Sequence, residues 1–167
     1  MGNLKNDTKS NYPKPMSGVE HVFWTGLFGG ILWSVIGYLG YLLNFTEIPP
    51  NIVLEPWTLG NWKKGWLGTL ISIIVISAFS VGAAYVYYAI LRKMKGIWSG
   101  FAYGIVLFLL VFFVFNPLFP GMAPVVNLNR DTIITSICLY AIYGIFIGYS
   151  ISYEYQIHRA TEKDAPT

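Results

Sequence analysis

Four long apolar runs alternate with polar connections along the chain: residues 23–43, 65–91, 97–115 and 132–153. None contains Asp, Glu, Lys or Arg. A helix that crosses a bilayer needs about 20 such residues. Its backbone groups must bond internally, because an unsatisfied one in lipid costs several kcal/mol. The pattern therefore predicts four transmembrane helices. The second run would be about 40 Å long at the helical rise and should tilt or protrude. This divides the chain into a polar tail (1–21), a transmembrane domain (22–155) with a long outer connection (44–64), and a second tail (156–167). Both tails are expected to be flexible.

Helix stops are legible at the run ends. The third run closes on Asn116-Pro117 and then Pro120-Gly121. Proline disfavours helical geometry in the residue before it, and the Asn116 side chain is placed to satisfy a freed backbone group. Tyr85, Tyr87, Tyr88, Tyr153 and Tyr155 lie near one set of run ends, and Trp57, Trp62 and Trp66 near the other. That is the pattern of an interfacial aromatic belt.

Charge adds direction. Only 11% of residues are charged against 54% hydrophobic, where a soluble domain carries about 25% charged residues. Most of the surface must then face lipid. With the N-terminus inside, Lys5, Lys9, Lys14, Arg92, Lys93, Lys95, Arg159 and Lys163 are cytoplasmic, and Lys63, Lys64 and Arg130 lie outside. This satisfies the positive-inside rule. The expected fold is an all-α membrane protein: an antiparallel bundle of four transmembrane helices with both termini cytoplasmic. The polar leader is too long and the first run too extended for a cleaved signal peptide. The net charge of +3, without an aromatic-basic patch or phosphate loop, points away from nucleic acid.

Small residues recur at four-residue spacing: Gly26, Gly30 and Ser34; Gly96, Gly100 and Gly104; Gly144, Gly148 and Ser152. A weaker set is Gly68 and Ser72, then Ser80 and Ala84. Such spacing lets helix backbones approach closely. It serves either packing within one chain or contact with a partner helix or second copy. The segment Trp24–Leu32 also aligns with Trp98–Val106, matching Trp, Gly, Gly and Ile, and the same offset pairs Phe45 with Phe119 and Pro50 with Pro124. This suggests two helical hairpins of like orientation.

Candidate chemistry is sparse. No run carries an ionisable acid or base, which disfavours ion-coupled transport built on buried carboxylates. His21 and His158 stand alone, and no metal-ligand or nucleophile–base pattern occurs, so no catalytic residue, metal or cofactor is expected. Cys138, inside an apolar run, is expected to be a buried small hydrophobe. The candidate binding surface is the outer connection and its neighbour: Asn44, Glu47, Glu55, Trp57, Trp62 and Asn116. Asn44-Phe45-Thr46 matches a glycosylation sequon but abuts the membrane.

The segments NFTEIPPN (44–51), LEPWTLGNWKKG (54–65), YYAILRKMKGIWSG (87–100), NPLFPG (116–121) and IGYSISYEY (147–155) resemble the YqhR-type conserved integral membrane proteins of bacteria. The likeness runs from about Phe23 to Tyr155. It implies four spans and a bacterial cytoplasmic membrane location, and it assigns no residue a catalytic role.

The leading functional expectation is a non-enzymatic accessory or scaffold protein. It would bind a membrane partner, or a second copy, through a glycine stripe or the connection from Asn44 to Lys64. The alternatives are a small oligomeric transporter or channel, and a surface lipid-modifying enzyme using Glu47 or Glu55.

Overall fold

The computed structural model describes residues 17–56, 65–91, 93–94, 97–119 and 121–163. Every regular element among them is helical. The long helices are α1 (Gly18–Leu42), α2 (Trp66–Leu91), α3 (Ile97–Leu109) and α4 (Arg130–Lys163). A π-helical segment, Leu110–Phe115, prolongs α3. All four, with that extension, are long and apolar enough to cross a membrane. Each apolar run thus became a helix.

The ends are built from local chemistry. Ser17 caps α1 by accepting the Glu20 N–H at 3.3 Å, with Glu20 favourably placed near the positive end of the helix dipole. This cap starts α1 ahead of the apolar run, at Gly18 rather than Phe23. The other end of α1 closes in a Schellman motif. Phe45 N–H donates to Gly40 O and Asn44 N–H to Tyr41 O, with Asn44 in the left-handed region at φ 59°. Asparagine tolerates that conformation better than most residues. Past the π segment, the Asn116 amide donates to Ala123 O at 3.2 Å. That bond holds the turn as the residue pattern suggested. Helix α4 runs on through Tyr153 to Lys163, where a flexible tail was expected from residue 156.

The helices pair as two hairpins. Helix α1 lies along α2 and α3 along α4, while α4 also packs on α1 and, more lightly, α2. Glycine sets both hairpin contacts. A Cβ on Gly26 would stand 2.7 Å from the Val81 Cα, and one on Gly30 would stand 2.5 Å from the Ser77 Cα. In the second hairpin a Cβ on Gly100 would meet Gly144 O at 2.7 Å, one on Gly104 would collide with Tyr140 O, and one on Gly148 would meet the Gly100 Cα at 2.6 Å. Gly144 in turn faces Gly100 and Gly104. These six glycines therefore abut other helices of the same chain. Gly96 lies outside the described residues.

Two further expectations change. Tyr87, placed in the interfacial belt by its position in sequence, is fully buried in the core cluster with Val22, Ala84 and Ile147. Its place on α2 turns it inward, and its hydroxyl finds partners there. Cys138, expected to be buried, is exposed on α4, because the buried face of that helix carries Ser136, Tyr143 and Ile147 instead.

Gly104→Leu would drive a side chain into the Tyr140 backbone, which cannot give way. We expect loss of monodisperse folded protein, since overpacking alone costs about 1–3 kcal/mol. Gly82, with nothing within 4 Å of its would-be Cβ, is the control. Gly82→Ala should leave the thermal midpoint in detergent unchanged.

Candidate functional site

Among the described residues, polarity or space gathers in a hydroxyl network between the hairpins, a cap at the end where the chain reverses, and a hollow on α2.

The network is made by three tyrosines. The Tyr87 hydroxyl lies 3.0 Å from the Ser99 Oγ and 3.1 Å from the Ser152 Oγ, tying α2 to α3 and α4. The Tyr103 hydroxyl donates to Ala83 O at 2.6 Å. The Tyr143 hydroxyl is 2.7 Å from the Ser80 Oγ, which itself lies 2.6 Å from Gly26 O as donor. Ser34, Ser72 and Ser77 instead bond carbonyls one turn back in their own helices. Trp33 adds a bond from its indole N–H to Leu139 O at 3.0 Å. Within each hairpin, then, backbones touch. Between the hairpins, long side chains bridge.

At the reversing end, a short 3₁₀ helix, Pro50–Leu54, folds its Leu54 inward. Ile48 and Ile52 pack beside Phe108, Phe112, Met122 and Leu128. Glu47 is held twice: its N–H donates to the Thr132 Oγ1 at 3.0 Å, and its carboxylate accepts the Asn129 N–H at 3.5 Å. The Glu55 carboxylate sits where a side chain on residue 121 would stand, so a larger residue there would have to move it aside. Among the described residues its Oε2 is buried without a hydrogen-bond partner. Thr69 on α2 donates to the Asn51 Oδ1 at 3.0 Å, anchoring the cap.

The hollow is a groove of about 360 Å³ lined by Ile74, Val75, Ala78 and Phe79. It opens outward, since Ile74 and Phe79 are more than half exposed.

The sequence-predicted site residues separate on inspection. Asn44 forms a helix terminus, Asn116 and Glu47 each bond a different backbone position, and the Glu55 carboxylate lies against Gly121. Trp57 and Trp62 lie outside the described residues. Among the described residues no group of His, Cys, Asp and Glu could hold a metal ion. The His21 Nδ1 lies 3.4 Å from the Thr25 hydroxyl, one turn along α1. Sequence reasoning missed the network of Tyr87, Tyr103, Tyr143, Ser80, Ser99 and Ser152. Tyr and Ser in an apolar run look alike whether they face lipid or each other. Their phase with the glycines was the usable signal: Ser80 and Ala84, like Ser152 and Gly148, repeat at helical spacing.

Comparison with known proteins adds the following. The family described as "Conserved membrane protein YqhR" matches residues 3–165. The protein called "Uncharacterized protein YqhR" of Bacillus subtilis (strain 168) is 55% identical over 141 residues, covering 84% of this chain and 79% of that protein. No solved structure matches.

Two outcomes test this geometry. In a double-mutant cycle, Tyr143→Phe and Ser80→Ala should couple by about 0.6 kcal/mol, and by no more than about 1.7. Gly121→Ala should lower the thermal midpoint only slightly, because its methyl group meets the far end of the Glu55 side chain, which can swing aside. A large loss that Glu55→Ala does not restore would show that Gly121 is needed for another reason.

Proposed function

The chain belongs to the YqhR family of conserved membrane proteins, and we propose that it is a non-enzymatic accessory protein that docks a partner protein within the membrane. One observation carries this reading. The close-packing and hydrogen-bonding groups of the interior are spent on holding the four helices together. The α2 groove, by contrast, opens outward and is lined by apolar side chains. An apolar hollow on a lipid-facing helix suits a neighbouring helix, because packing rather than hydrophobic transfer drives association in a bilayer.

The glycines proposed from sequence as a docking stripe already face helices of their own chain, so docking belongs on another surface. Glu47 and Asn116 bond separate backbone positions, Asn129 N–H and Ala123 O, and Glu55 lies against Gly121, which speaks against one shared lipid-modifying centre. The distribution of Lys and Arg supports cytoplasmic termini and a location in the bacterial cytoplasmic membrane. In that orientation the Pro50–Leu54 cap lies at the outer surface.

A crosslinked pull-down from native membranes, quantified by mass spectrometry, tests the reading. We expect a second protein in fixed stoichiometry with the chain. Recovery of the chain alone, as monomer or homo-oligomer, would overturn it.

A further inference from the structure

The sequence carries no Asp, Glu, Lys or Arg from Ile97 to Asn129. That stretch covers the third span and the whole connection that follows it. The other connections are charged. The first holds Glu47, Glu55, Lys63 and Lys64, and the turn between α2 and α3 holds Arg92, Lys93 and Lys95. A soluble domain is about 25% charged, a level at which residues 116–129 would hold roughly three or four charges.

The structure pins this connection to the helix ends. The Asn116 amide donates to Ala123 O and folds it back. Met122 and Leu128 are buried with Phe108 and Phe112, and Phe119 and Val125 pack on the same cluster. The inner side is thus spent on the core, and the connection cannot rise far from the helices. The outer side is apolar as well. Leu118 is 59% exposed, and Val126, in the 3₁₀ turn Val125–Asn127, is 93% exposed. At that exposure the fold places almost no packing demand on residue 126, yet the residue is a valine.

Span length fixes the level at which these side chains stand. The third span, Ile97–Phe115, has 19 residues, about 28 Å at the helical rise. The hydrocarbon core is about 30 Å thick, and headgroups add roughly 5–8 Å on each side. Phe115 therefore reaches the edge of the hydrocarbon. At the same end, Trp66 begins α2 and is 75% exposed, and the exposed Arg130 begins α4. An exposed tryptophan and the first charged residue are what that boundary selects. A connection held on the helix ends at this level lies among headgroups.

We infer that the connection between α3 and α4 is a membrane-surface contact: Leu118 and Val126 insert into the interfacial layer of the leaflet at the reversing end, with phospholipid as their partner. With both termini cytoplasmic, this is the outer leaflet. The contact is independent of the accessory reading. It fixes the depth of the bundle, because sliding the helices outward would expose both side chains to water.

The test uses the full chain in vesicles of phosphatidylethanolamine and phosphatidylglycerol. Val126→Cys, in a Cys138→Ser background that removes the one native cysteine, takes the environment-sensitive dye NBD. Ile134→Cys, exposed on α4 within its span, is the lipid-facing reference. We expect blue-shifted emission at 126, quenched more by phospholipid with a shallow nitroxide label than by aqueous iodide. Strong iodide quenching with little from the labelled lipid places Val126 in water and overturns the inference. Protection from both quenchers places it under protein, a second copy in these vesicles, and overturns it as well. Leu118→Cys repeats the measurement at the other exposed position, and it decides between the same outcomes if the 126 variant fails to fold.

Discussion

The fold depends on contact between helix backbones. A bilayer gives apolar helices no hydrophobic reason to leave lipid for one another, so association must come from packing and hydrogen bonds that lipid cannot supply. The glycines at 26, 30, 100, 104, 144 and 148 meet this requirement by removing the atoms that would hold the backbones apart. With Gly100 and Gly104 set directly on Gly144 and its neighbours, the second hairpin is the closer of the two. The first substitutes Ser77, Ser80 and Ala84 on the α2 side. Ser80 then gains a use that glycine lacks, because its hydroxyl bonds across to Gly26 O and to Tyr143.

That substitution shows how the two kinds of contact divide the work. Glycine contacts are rigid, since backbone meets backbone. Tyrosine contacts are longer and directional, and they lie where the hairpins meet. A buried hydroxyl in this setting needs a partner, so each of Tyr87, Tyr103 and Tyr143 specifies how one hairpin sits on the other. The hydrogen bonds add modest stability, but they select one register among several that apolar packing alone would accept.

The architecture was largely legible in the sequence because span length and the absence of charge are strong constraints of a membrane. Helix ends were less so. Ser17 and Glu20 extended α1 ahead of its apolar run, and α4 continued past the lipid-length segment, since a polar sequence can stay helical in water. The candidate site was read from residue type, and type misled where facing decides. Asn44 looked like a ligand-binding polar group and serves as the left-handed end of α1. Tyr87 looked interfacial and lies in the core. Gly26 and Gly100 were read correctly as contact residues, yet only geometry could say that each meets the returning helix of its own hairpin.

The interface between the hairpins is closed by complementary volumes. Where Gly29 leaves room on α1, Phe146 and Ile147 of α4 fill it. Where α3 carries Tyr103, the ring reaches across to the Ala83 carbonyl of α2. Trp33 closes the remaining α1–α4 side by setting its ring against Phe146 and Tyr143 and its N–H on Leu139 O. Backbone contact therefore fixes each hairpin, and large side chains set against small ones fix how the hairpins sit together, because close packing is what association in a bilayer depends on.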